Sequence, residues 1–142
     1  MIYKVNGDIF RSTCEVIVNP VNTQGVMGAG LAKKFKKRYP EYANFWKVFC
    51  KDNRLEGGYV NFYEGARFGL IASFATKEDW RNSSKIEWID VGLKSLAQQM
   101  TTLGLFSVAL PKIGCGLGGL SWTSVEPLIQ QHLSEIKRVE IY

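Results

Sequence analysis

Two short glycine-rich turns, Gly25-Val26-Met27-Gly28-Ala29-Gly30-Leu31 and Ile113-Gly114-Cys115-Gly116-Leu117-Gly118-Gly119, lie most of the chain apart, each after an apolar strand-like run and before a helical pattern. Glycine lacks the Cβ that would keep backbone N–H groups away from a ligand. A helix start adds unpaired donors and a partial positive charge, so each turn suits an anion. One such turn is commonly no more than a tight connection. Two of them, both following strands, are suited to cradle a diphosphate.

The pattern between the turns alternates strand and helix. Strands are expected over residues 2–5, 16–18, 59–63, 68–74, 107–110 and 139–142, the second stopped by Pro20, which has no N–H for a ladder. Leu31, Phe35 and Tyr39 recur at a spacing of four, and Tyr42, Phe45, Trp46 and Phe49 follow a helical period with Pro40 in the first turn. These aromatics read as core. Ser84 with Glu87 matches a capping box before a helix that ends at Gly104, and Thr123 or Ser124 is expected to cap a last helix carrying Val125 to Ile136. Such alternation implies a three-layer α/β/α domain over 1–142 with a mixed, mostly parallel sheet. Ligands of such sheets sit at the C-terminal ends of the strands, where both glycine turns fall.

Composition narrows the chemistry. The single histidine, His132, and three cysteines without CxxC spacing provide neither a zinc site nor a disulfide framework. No metal and no cofactor is expected. With no apolar run of membrane length and no leader pattern, the reading is a cytoplasmic protein with no membrane partner. The net charge of +5 sits in residues 1–71, with 11 basic and 6 acidic side chains against 7 of each beyond. Lys33, Lys34, Lys36, Lys37 and Arg38 form its densest cluster, directly after the first glycine turn, where it is either a solvated helix face or a collector of phosphates. Neither turn is a GxxxxGK[ST] loop or a GxGxxG turn opening a first strand–helix unit.

Four segments in order, Val5-Asn6-Gly7-Asp8-Ile9-Phe10, Val16-Ile17-Val18-Asn19-Pro20-Val21-Asn22, Gly28-Ala29-Gly30-Leu31 and Gly114-Cys115-Gly116-Leu117-Gly118, resemble the signature of a macrodomain, the ADP-ribose-binding module. Within it, Phe74-Ala75-Thr76-Lys77-Glu78-Asp79-Trp80-Arg81 and the stretch from Gly114 to Trp122 are similar to the branch of the DarG antitoxins and, more remotely, the terminal ADP-ribose glycohydrolases. The resemblance implies an ADP-ribosyl hydrolase that frees thymidine bases of single-stranded DNA from ADP-ribose, as a monomer, opposing a DarT-type toxin. Members of that branch continue into a further domain, so the chain reads either as a stand-alone antidote or as one domain of a longer protein.

Carried over by position, the resemblance implies that Asp8 accepts from the adenine amine, with the Ile9 N–H beside it. It places Gly28, Ala29, Gly30 and Leu31, with Gly114, Cys115, Gly116, Leu117 and Gly118, around the pyrophosphate and distal ribose. Asn22 is expected to reach that ribose, Thr76 to lie beside the reacting end, and Tyr142 to rest against the adenine. Lys77 is the expected catalytic group at C1″, either as nucleophile or as hydrogen-bond donor and proton shuttle, a choice the sequence leaves open. Glu78 and Asp79 are possible substitutes for the acid that the terminal glycohydrolases carry in the second turn, where this chain has Gly118-Gly119. Trp80, Arg81 and Trp122 are candidates for a rim that stacks on a nucleobase. A Cys115–His132 nucleophilic pair is rejected, because His132 falls on the apolar stripe of the last helix. The same cleft would also serve an ADP-ribose 1″-phosphate phosphatase, an O-acetyl-ADP-ribose deacylase, or a module that only binds ADP-ribose.

Overall fold

The computed structural model describes residues 1–66 and 69–142. Among them are strands β1 (Ile2–Lys4), β2 (Val16–Asn22), β3 (Val60–Ala66), β4 (Gly69–Lys77), β5 (Ser107–Leu110) and β6 (Arg138–Ile141). The helices are α1 (Gly30–Arg38), α2 (Pro40–Asp52), α3 (Ile86–Leu103) and α4 (Trp122–Leu133). The strands form one sheet in the order β1-β6-β5-β2-β4-β3, parallel throughout except for the antiparallel β3–β4 pair. This is the expected α/β/α fold. The expected start of the fourth strand at Phe68 lies outside the described residues.

Strand alternation divides the core into two layers. Val16, Val18, Ala72, Phe74, Val108 and Leu110 face α3 and α4, meeting Leu93, Leu96, Ile129 and Leu133. The intervening Ile17, Ile71, Ala75 and Ala109 face α1 and α2, meeting Phe35, Tyr42 and Trp46. The last three have under 2% of their surface exposed, so the aromatics of these helices are core, as expected. Each side chain of that size contributes about 1.5–3 kcal/mol by leaving water. The Trp46 indole also donates to Asn22 O at 3.1 Å, anchoring the end of β2.

Three local expectations need correction. Pro20 does not stop β2, which runs on to Asn22 along β4. Pairing with β5 ends at Ile17↔Ala109, so beyond that point β2 has a neighbour on one side only, and a missing N–H is tolerated. The Ser84–Glu87 capping box does not form: Lys85 precedes α3, and Ser84 is drawn instead to the second glycine turn, its N–H donating to Gly118 O at 3.0 Å. Finally, α4 starts at Trp122, ahead of both expected caps, and ends before Ile136. Gly104 closes α3 in the left-handed conformation, φ 69°, as its place after the helical period predicts.

The sheet forks between β2 and β5. These strands share only the pairs Val16↔Val108 and Ile17↔Ala109, after which β2 follows β4 and β5 follows β6. The chain leaves β2 for α1 and α2 on one face and leaves β5 for α4 on the other. A crevice opens where neighbouring strands send their connections to opposite faces, and each side of this one carries a glycine turn.

Candidate active site

A cleft of about 760 Å³ occupies the fork. Its walls come from the ends and continuations of β2, β4 and β5: Pro20, Val21, Asn22, Val26 and Gly28 to Ala32 from the first, Thr76, Lys77, Trp80 and Arg81 from the second, and Pro111, Lys112, Gly114 and Gly116 to Gly118 from the third. Parallel pairing brings these segments to one edge although they are far apart in the chain.

The first turn presents a helix start. Ala29 is extended, with φ −152°, and offers no side-chain cap, and the first bond of α1 runs from Lys33 N to Ala29 O at 3.2 Å. The N–H groups of Gly30, Leu31 and Ala32 therefore have no intrahelical acceptor, and all three residues line the cleft. Asn22 shapes the approach to this helix. Its Nδ2 donates to Val26 O at 2.8 Å, and its Oδ1 accepts from Gln24 N and Val26 N at 3.1 and 3.2 Å. The amide expected at the distal ribose thus lines the cleft but holds its own turn.

The second turn is bonded to itself. Cys115 N donates to Lys112 O, Gly119 N to Gly116 O and Leu120 N to Gly114 O, at 2.8–3.2 Å. Among the described residues this leaves Gly114, Gly116, Leu117 and Gly118 with N–H groups that have no acceptor, and all four residues line the cleft. Glycine is obligatory at 118, where a Cβ would lie 2.4 Å from Gly114 O and 2.5 Å from the Ser84 hydroxyl. Cys115 faces the other way. Its thiol lies 3.5 Å from Ile113 O, burial pushes its pKa up, and it is not part of the cleft wall.

Lys77 joins the walls. Its Nζ, at the end of β4, donates to Leu117 O at 3.0 Å and Trp80 O at 3.3 Å. The Leu117 side chain then reaches across the cleft, its Cδ1 3.5 Å from where a Cβ on Gly30 would stand. One line of contact thus links Lys77, the second turn and the first. Thr76, buried, precedes Lys77 in the wall.

The charged lining of the cleft is Lys77, Arg81 and Lys112, with no carboxylate among the described lining residues. Glu78 is held away, its Oε2 accepting from Gly57 N at 3.0 Å. Asp79 binds Arg81 at 2.7 and 3.0 Å, and these hydrogen bonds hold its carboxyl at about 2. Neither acid is placed to protonate a leaving group. His132 bonds Asp90 between α3 and α4, and no nucleophilic pair with Cys115 forms.

Asp8 and Tyr142 follow β1 and β6, which are parallel neighbours, and so reach the same edge, although neither lines the cleft itself. Asp8 caps a short 3-10 turn, Ile9–Arg11, its Oδ1 accepting from Phe10 N at 3.0 Å, with Ile9 buried beneath. The Tyr142 hydroxyl donates to Glu140 Oε1 at 2.8 Å. Trp80 and Arg81 line the cleft, whereas Trp122 does not and lies under Lys112, whose Nζ is 5.4 Å from its ring centroid. Lys112 and Val26 were missed as cleft residues; the signal available for Lys112 was its place between a strand end and a glycine turn.

The Macro domain family model matches residues 18–129, which hold both glycine turns and Lys77. The chain belongs to the macrodomain family. A DNA ADP-ribosyl glycohydrolase of Thermus aquaticus is 35% identical over the whole chain, and this macrodomain covers 40% of that relative. A DNA ADP-ribosyl transferase–DNA ADP-ribosyl glycohydrolase fusion protein of Thermosipho africanus is 34% identical over 97% of the chain and is itself 40% covered. The chain thus spans about two-fifths of the length of these curated relatives. The solved macrodomain of Thermus aquaticus DarG superposes with a TM-score of 0.93 at 36% identity, covering 100% of this chain and 97% of that one.

Proposed function

We propose that this macrodomain is a DNA ADP-ribosyl glycohydrolase that hydrolyses the bond between ADP-ribose and a thymidine base of single-stranded DNA. The observation that carries the reading is Lys77 Nζ bonded to the second glycine turn in a cleft that both turns line and whose described lining holds no carboxylate. The turns take the diphosphate, and C1″ of the distal ribose then falls beside Lys77. Water adds to C1″ as the bond to thymine N3 breaks, and the electron pair passes to the base. The imide anion spreads that charge over two carbonyls, so its departure needs less acid assistance than loss of an alkoxide. A Lys77 ammonium donates to the departing base and gives up a proton to it, and the proton shed by the attacking water restores the ammonium, giving free ADP-ribose and unmodified thymidine.

Similarity to DNA ADP-ribosyl glycohydrolases across the whole chain supports the substrate. The Thermosipho fusion of a DNA ADP-ribosyl transferase with a DNA ADP-ribosyl glycohydrolase supports a DarT-type transferase as functional partner. The test is ADP-ribose release from a thymidine-ADP-ribosylated single-stranded oligonucleotide by wild type and Lys77→Ala, with ADP-ribose binding followed by calorimetry. Turnover falling by about 10³-fold while binding persists is the expected result. Tight ADP-ribose binding without wild-type turnover removes the proposal in favour of a binding module, or of ADP-ribose 1″-phosphate and O-acetyl-ADP-ribose as substrates.

A further inference from the structure

We infer that Trp80 is the surface on which the departing nucleobase stacks, and that it makes the cleft selective for ADP-ribose carried on a base. The inference rests on the glycohydrolase reading above and names the part of that site that recognises the leaving group.

Trp80 is 56% exposed and lines the cleft. The other tryptophans are less exposed: Trp46 is buried, and Trp88 and Trp122 are half-buried, while a cation stands near each ring that reaches the surface, Arg81 at 6.0 Å from Trp80, Lys85 at 5.0 Å from Trp88 and Lys112 at 5.4 Å from Trp122. An indole left in water forgoes the gain of burial, yet the loop holding it is pinned. Trp80 N donates to Gln24 Oε1 at 3.1 Å, and Trp80 O accepts from Lys77 Nζ. One residue earlier, Asp79 grips Arg81 through two oxygens; one before that, Glu78 O accepts from Thr23 Oγ1 at 3.0 Å and Glu78 Oε2 from Gly57 N. The ring is therefore presented by a rigid loop.

Its position relative to the chemistry supplies the ligand. Lys77 Nζ touches the backbone carbonyls of both Trp80 and Leu117, and Trp80 lines the same cleft, so a group bonded to the carbon that Lys77 serves departs into the space that this exposed indole borders. A pyrimidine offers a flat face to stack on, whereas a phosphate or an acetyl group does not. Stacking on an aromatic ring tolerates any base, so Trp80 distinguishes a base from other leaving groups without reading DNA sequence. Lys112, on the β5 side of the cleft, is a lining cation with no carboxylate partner among the described residues, in contrast to Arg81, and is available to the phosphates flanking the base.

The experiment compares wild type, Trp80→Ala and Trp80→Phe for steady-state hydrolysis of the thymidine-ADP-ribosylated oligonucleotide, and for calorimetric binding of free ADP-ribose. Loss of stacking in Trp80→Ala is expected to raise KM for the oligonucleotide about ten- to a hundredfold. Trp80→Phe should recover most of that loss, and ADP-ribose affinity should stay within about twofold in both variants, since that ligand carries no departing base. Unchanged oligonucleotide kinetics in Trp80→Ala overturns this inference and leaves the glycohydrolase reading standing. Parallel loss of ADP-ribose affinity also overturns it, by making Trp80 a support of the cleft. Wild-type protein that binds ADP-ribose but leaves the oligonucleotide intact overturns both.

Discussion

The two glycine turns offer backbone N–H groups to the same cleft by different means. In the first, donors are exposed because a helix begins there, and the turn is held from outside by the Asn22 amide. In the second, donors are left over because the backbone bonds to itself, with Ser84 against Gly118 and Lys77 bonded to Leu117 O. Each turn nonetheless mixes positions that demand glycine with positions that do not. A Cβ at Gly118 would meet backbone at 2.4 Å and one at Gly25, where φ is 78°, at 2.8 Å, whereas nothing lies closer than 3.7 Å to a Cβ at Gly28 or within 4 Å of one at Gly116.

The sharpest way to break this comparison is to add one methyl group to each turn. At Gly118 a Cβ meets Gly114 O at 2.4 Å, so Gly118→Ala should cost about 1–3 kcal/mol of stability and abolish ADP-ribose binding. At Gly28 the nearest atom is 3.7 Å away and φ is not positive, so Gly28→Ala should change stability by less than about 0.5 kcal/mol. Thermal melts and calorimetry check both, and equal effects would mean that position 28 is packed as closely as position 118.

A second test uses the distal edge of the sheet, which neither turn supports. Burial of Glu140 raises its pKa, but hydrogen bonds from Ser12, Arg138 and Tyr142 outweigh that and hold the carboxyl at about 2, below its ordinary 4.5. The stabilisation is therefore complete above about pH 5 and is lost as pH falls toward 2. Glu140→Gln should lower stability by about 1–3 kcal/mol at neutral pH. It should also flatten the loss of stability on acidification, followed by urea unfolding across that range, while ADP-ribose contacts at the glycine turns persist.

The smallest effect on the fold is expected from Lys33, Lys34, Lys36 and Lys37, exposed on the helix that the first turn begins. Lys36 and Lys37 sit in its last turn, where the helix dipole favours cations, and none of the four has a carboxylate partner among the described residues. Replacing all four by Gln should weaken binding of an unmodified single-stranded oligonucleotide and reduce its salt dependence, leaving ADP-ribose affinity unchanged. Equal loss of both ligands would assign these lysines to the diphosphate end of the site.

The features readable in the sequence are those written in local chemistry. Glycine after an apolar run marked both turns, Pro40 marked the start of α2 and Gly104 the end of α3. Features decided by distant partners were not readable. Ser84 carries a capping signature that the approach of Gly118 overrides, and Pro20 carries a strand-breaking signature that the fork of the sheet makes harmless. Asn22 is the reverse case: family resemblance sends its amide to the ribose, while the groups it bonds are local, at Gln24 and Val26. Lys77 was singled out by family resemblance; its contact with Leu117 needed the fold, since 40 positions separate the two.

The fork between β2 and β5 has a mechanical side. With only two register pairs joining them, the ladders β1-β6-β5 and β2-β4-β3 meet at a short seam, and the cleft continues that seam outward. A diphosphate gripped by both turns is then a rivet set across the joint, replacing with its oxygens the hydrogen bonds that the diverging strands no longer exchange. On the proposed grip of both turns, ligand binding and resistance to splitting of the sheet are one property, and ADP-ribose should raise the melting temperature of the whole domain.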